Sequence, residues 1–157
     1  MQFKVIPPPP VLKPYVRYFW TVDCDGTNCF RQEVNTVVDD SSGIVFHHHN
    51  GRSCFLNEDN DRVKVGLLYG KRTTPSKSIS DIPFSATGIN FSSQSIRLLF
   101  GIDANELTDK MIDLDNLDEG NIVDQLMNQN CQTDRIKLLT NFLISKINNK
   151  HEIDRWF

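Results

Sequence analysis

The chain has 157 residues and a mass of 18.0 kDa, the length of one domain that can bury a core without covalent staples. Seventeen Lys plus Arg stand against twenty Asp plus Glu, for a net charge of -3 and a pI near 5.7. That balance offers no surface-wide match to a phosphate backbone and excludes a general nucleic-acid binder. Aromatics at 10% and charged residues at 24% also exclude a disordered chain.

The opening MQFKVIPPPP has no apolar run of the kind a secretory signal needs, and no stretch in the chain reaches the roughly 18 apolar residues of a membrane span. Cysteines stand at 24, 29, 54 and 131 with no C-x-x-C pair, so free thiols, cytoplasmic residence and no membrane partner are the expectations. Pro7 to Pro10 form an extended arm, because each residue before a proline is pushed out of the helical region. Residues 15–22, dense in aromatic and β-branched side chains, follow as a strand. Further strands are expected at 30–38, 44–49, 53–56, 63–69 and 84–91. Asp39-Asp40-Ser41-Ser42-Gly43 reads as a turn, since short polar side chains bond the local backbone. Asn50-Gly51 is the sharpest hairpin signal, both residues tolerating positive φ. Short strands at this spacing predict an antiparallel barrel or sandwich rather than βαβ units.

After Ser92 the pattern turns helical. Ser92-Ser93 offers an N-cap for a helix over 95–100 that Gly101 stops. A turn is expected at 103–107 and a helix at 119–127. The longest helix starts at Thr133, where Ile136, Leu139, Leu143 and Ile147 recur at three and four. The fold class is therefore α+β: one domain over 1–157, β-rich over 1–91 and helical over 93–150.

The order of motifs carries a resemblance. Pro8, Leu12, Pro14-Tyr15-Val16 and Phe19-Trp20 are followed by Ile44-Val45-Phe46, Gly66-x-x-x-Gly70 and Gly88-Ile89-Asn90-Phe91. Then come Leu98-Leu99-Phe100-Gly101, Glu106-Leu107-Thr108-Asp109 and Asp134-Arg135-Ile136. This series resembles the N-terminal sensory domain of AraC-type transcription regulators over nearly the whole chain. The resemblance implies a cupin-like β-barrel followed by helices, ahead of a C-terminal pair of helix-turn-helix motifs. Residues 151–157 would then begin a linker to that DNA-binding domain, which lies outside this chain. Where relatives carry a proline just after the Gly-x-x-Phe strand, this chain has Ser92-Ser93. Where many carry a Pro-Asp-Gly turn, it has residues 39–43.

A barrel mouth takes one small ligand. The candidate ligand-binding residues are the aromatics Tyr18, Trp20, Phe46 and Tyr69 with Arg17, His48 and Asn90 as polar partners; a filled barrel would use the same aromatics as core. The effector itself is unnamed by the sequence. On a strand, Ile44, Phe46 and His48 point one way while Val45, His47 and His49 point the other. His47 and His49 are thus a possible metal pair, as in metal-binding cupins, but two nitrogens fall short of the three or four ligands zinc takes. No metal and no cofactor are expected. No catalytic motif occurs, so the expectation is a protein that is not an enzyme. The rivals are a metal-dependent cupin enzyme and an interaction domain without a ligand. The seam of Ile136, Leu139, Leu143 and Ile147 would suit either the domain's own sheet or a partner helix, and the resemblance implies homodimerisation through it. DNA would be reached only through the C-terminal domain.

Overall fold

A computed structural model describes residues 2–24, 32–36, 40–80, 83–117 and 121–156. In chain order the strands are β1 (Gln2–Ile6), β2 (Val16–Cys24), β3 (Gln32–Thr36), β4 (Gly43–His48), β5 (Phe55–Leu56), β6 (Gly66–Tyr69), β7 (Ser76–Ser80), β8 (Phe84–Phe91) and β9 (Met111–Asp113). Among the described residues the α-helices are α1 (Ser95–Phe100), α2 (Ile122–Met127) and α3 (Gln132–Trp156), with short 3-10 turns at Pro10–Leu12, Ala104–Leu107 and Leu114–Asn116. A six-stranded sheet runs β1-β2-β8-β4-β6-β9 and a three-stranded sheet runs β3-β7-β5. Every ladder is antiparallel. The domain is α+β as expected. Its two sheets share no ladder among the described residues, so the expected chamber is an open sandwich and not a closed barrel.

Several strands follow the sequence pattern closely. The Asn50-Gly51 turn has φ of 51° and 80°, and His49 and Arg52 exchange both backbone hydrogen bonds at 3.0 and 3.1 Å. This is the doubly left-handed turn that matches strand twist. Gly101, with φ of 68°, closes α1 by donating its N–H to the Arg97 carbonyl. The start of α1 differs from expectation. Gln94 occupies the cap position in the left-handed region, without a side-chain cap. Ser95 instead donates its hydroxyl to the Tyr15 carbonyl at 2.7 Å, tying α1 to the strand entry.

Other elements were not legible. The arm before the prolines pairs with β2 as β1, from Gln2 opposite Asp23 to Ile6 opposite Phe19. Strand β7 reads Ser-Lys-Ser-Ile-Ser and inverts the usual rule, with Ser80 buried and Ile79 36% exposed. Of the expected strand at 30–38, residues 32–36 are described and form β3. The expected helix at 119–127 is described from Ile122. Helix α3 continues through Trp156, so residues 151–156, expected to begin a linker, are helical.

Alternation divides the six-stranded sheet into two faces. On one face Phe19, Ile44, Phe46, Leu68, Ile89 and Phe91 join Val123 and Leu126 of α2 and Leu139, Leu143 and Ile147 of α3 in a single core. The α3 seam is thus spent on the protein's own sheet. Leu139 and Leu143 are fully buried there, each contributing roughly 1.5–3 kcal/mol of transfer free energy, while Ile136 is half-buried beside them. On the other face Trp20, Val22, Cys24, Phe84 and Ala86 meet Cys54 and Phe55 in a smaller cluster. Cys24 is disulfide-bonded, which corrects the expectation of free thiols at that position. Cys54 is a buried thiol and Cys131 an exposed one.

Candidate functional site

The second face does not close on itself. Between it and the three-stranded sheet lies a cavity of about 380 Å³. Trp20 and Val22 of β2, Val45 and His47 of β4, Leu67 and Tyr69 of β6, and Phe84 of β8 line it from the larger sheet. Phe55 of β5 and Ser78 of β7 close it from the smaller one, with Val63, Ser41, Gly70, Arg72 and Met111 completing the wall. Two glycines shape this lining. A Cβ at Gly88 would meet the Trp20 indole at 2.0 Å, and one at Gly43 would meet the Ile89 backbone carbonyl at 2.2 Å and the Tyr69 hydroxyl at 2.5 Å. Both rings therefore lie down over glycine backbone on the adjoining strand, where any larger residue would lift them into the cavity.

His47 is the buried titratable group of this wall. Burial pushes its pKa down to about 4, against a raising effect of the Lys64 carbonyl, so the ring is neutral near pH 7. Its Nδ1 accepts the Cys54 backbone N–H at 3.4 Å, and Phe55 meets the ring edge-on at 4.9 Å. His47 is a satisfied aromatic wall. His49, its candidate metal partner, belongs to the hairpin and has Nε2 3.3 Å from the Asn50 amide. Among the described residues no three His, Cys, Asp or Glu side chains come together as a metal site.

Of the candidate ligand residues, Trp20 and Tyr69 line the cavity. Phe46 and His48, expected with them, lie on the opposite face, beneath α3. Arg17 is exposed at a bulge in β2 between Val16 and Tyr18, and Tyr18 is half-buried outside the lining. Asn90 is buried opposite Tyr18 and Gly43 in register, its Oδ1 without a hydrogen-bond partner. The residues that sequence reasoning missed are mainly aliphatic: Val22, Val45, Val63 and Leu67. Nothing in their type separates a cavity wall from a core. Alternation had paired Val45 with His47 on one face, but both faces of β4 are covered, so alternation alone could not say which was hollow.

Behind the cavity, α3 is fastened to the same strands by a polar cluster. Arg135, 6% exposed, donates from Nη1 to the Ser85 hydroxyl at 3.1 Å and from Nη2 to His48 Nε2 at 3.1 Å and the Gln129 carbonyl at 3.1 Å. Its guanidinium also sits 5.9 Å from the Phe46 ring centroid. The Ser85 hydroxyl donates to Asp23 at 3.1 Å, passing the carboxylate's influence toward the cation. Gln132 donates to Ser85 and to the Ala86 carbonyl at 2.9 and 3.1 Å and accepts from Thr87. Burial lowers the pKa of His48, and the charge of Arg135 lowers it further, so this ring too stays neutral and able to accept from Arg135.

Residues 4–113 match the model of a family described as a domain of unknown function, DUF6597. The chain belongs to this family. The DUF6597 match runs from within β1 to the end of β9, so every residue of the cavity wall falls inside it, whereas Gln132 and Arg135 of α3 fall beyond it. No curated protein and no solved structure gives a significant match. No helix among the described residues of this DUF6597 protein is long and apolar enough to cross a membrane.

Proposed function

We propose that this DUF6597 domain is the ligand-sensing part of an AraC-type transcription regulator, binding a small molecule between its sheets and controlling a C-terminal helix-turn-helix domain. The observation that carries this reading is the apolar cavity of about 380 Å³, within the size range of small-ligand sites, in a β-sandwich whose opposite face bears the helices. The motif order from Pro8 to Ile136 supports it independently. The reading requires no catalytic group.

Strands β4 and β8 supply the coupling. His47 faces the cavity, and the next residue, His48, accepts from Arg135 of α3. On β8, Gly88 lies beneath Trp20 while Thr87 bonds Gln132 at the start of α3. A ligand that prefers one placement of Trp20 would bias the seating of α3, and with it the presentation of the DNA-binding domain. The effect is a population shift whose size equals the ligand's differential affinity for the two arrangements.

A thermal-unfolding screen against sugars, organic acids and aromatic metabolites tests the reading. A ligand at a hundred times its Kd stabilises the folded state by about 2.7 kcal/mol. The reading also expects the gene to continue past Phe157 with two helix-turn-helix patterns. A panel that leaves unfolding unchanged, together with a downstream frame lacking those patterns, would overturn it.

A further inference from the structure

The cavity's lining narrows the kind of ligand it can hold. Trp20, Val45, Leu67 and Phe84 present apolar walls, and Trp20 lies flat over the backbone of Gly88. Indole faces favour a ring stacked parallel and offset. A polyol placed against these walls would leave most of its hydroxyls unpaired, at a cost that apolar contact does not offset. The charge on the wall is one-sided. Among the described residues that line the cavity Arg72 is the charged one, and no carboxylate is among those described residues. The neighbouring Asp109 is exposed and accepts the Thr73 backbone N–H at 2.8 Å and its hydroxyl, and its carboxylate, outside the lining, also feels the charge of Arg72. A guanidinium at the edge of an apolar chamber attracts a planar anion and repels an ammonium group.

Resting on the sensor reading above, we infer that the cavity takes a flat hydrophobic monoanion, its ring system between the sheets and its carboxylate at Arg72. The ring supplies most of the affinity, and Arg72 sets the sign of the head group.

Three molecules with one ring system and different heads test this: naphthalene-2-carboxylate, 2-naphthylmethanol and 2-naphthylmethylamine, titrated into the full chain by calorimetry with D-glucose alongside. The carboxylate is expected to bind with Kd below about 1 mM, about tenfold tighter than the alcohol, with the amine weakest. Arg72→Gln should erase the preference for the acid while leaving alcohol binding unchanged. Val45→Trp should abolish binding of all three by filling the chamber. Quenching of Trp20 fluorescence in the unaltered chain provides a second readout should that variant fold poorly. Equal or tighter binding of the alcohol or amine overturns the inference. Stabilisation by D-glucose with no naphthyl binding overturns the ligand class but leaves the sensor reading standing. Failure of all four probes overturns the ligand class; the broader metabolite screen then decides the sensor reading separately.

Discussion

The two faces of the six-stranded sheet are built from alternate residues of the same strands, yet one is filled and the other hollow. Against the helices, Ile44, Phe46, Leu68 and Ile89 interlock with Leu139 and Leu143, and each of these six is fully buried. Against the three-stranded sheet, Val45, Leu67 and Trp20 stop short of their counterparts and leave about 380 Å³. The difference lies in the opposing layer. A 25-residue helix brings a seam of large aliphatic side chains, whereas β7 brings Ser76, Ser78 and Ser80. Small polar residues on the covering sheet keep the chamber open, and glycines beneath Trp20 and Tyr69 keep its floor low.

The sharpest way to break this comparison is to truncate matched residues on each face. Leu143→Ala should cost about 3 kcal/mol in urea unfolding, because it removes a buried side chain from a close-packed core. Val45→Ala should cost under about 1 kcal/mol, since its side chain already borders empty space. Equal losses would mean that the chamber is packed in solution.

Protonation probes the hollow face next. His47 has a folded pKa of about 4 against an ordinary 6.5, so between these values the unfolded chain binds a proton that the folded chain refuses. Stability is therefore full above pH 6.5 and falls as the pH drops toward 4, by up to about 3 kcal/mol. His48 shifts in the same direction. Urea midpoints measured from pH 7 to pH 4 should decline in the unaltered protein and decline less in His47→Phe. A pH-independent midpoint would place His47 in water.

Gly88→Ala tests the floor. Its Cβ would fall on the Trp20 indole, so the ring must rise, at roughly 1–3 kcal/mol for overpacking. The emission of Trp20 should shift as its surroundings change. An unchanged spectrum and stability would mean that the ring does not lie on Gly88.

Arg135→Met sharpens the contrast on the filled face. The Arg135 Nε is buried without a hydrogen-bond partner, so an apolar replacement forfeits the bonds to Ser85 and His48 but also relieves that orphan and the burial of a cation. A stability change within about 1 kcal/mol is expected, with faster amide exchange in the first turns of α3. Slower exchange there would show that the cluster does not fasten the helix.

Much of this architecture was legible, and where it was not the cause is local. Strands β2, β4, β6 and β8 carry aromatic and branched residues bounded by turn signals, and their backbone follows from those types. The Asn50-Gly51 turn and the Gly101 stop needed only their own φ preferences. Strand β7 was missed because its serines carry no alternation; backbone pairing with β3 and β5 defines it. Strand β1 was hidden by the prolines that follow it. At the site, alternation sets Phe46 and His48 on the face of β4 away from Val45 and His47 but does not show which face is hollow; Trp20 and Tyr69 line the hollow face, while Phe46 and His48 face α3. Both sides of that strand are covered, and only the identity of the covering layer, set by residues 30 and 90 positions away, distinguishes them.

The chamber itself is tested most directly by methyl NMR on valine- and leucine-labelled protein titrated with a mixture of small organic acids, sugars and aromatic compounds. Occupancy between the sheets predicts the largest shifts at Val22, Val45, Val63 and Leu67, with smaller ones at Leu68 and at Leu139 of the coupled helix. Shifts led by Leu68 and Leu139, or no shift at the first four methyl groups, would contradict a ligand site on the hollow face.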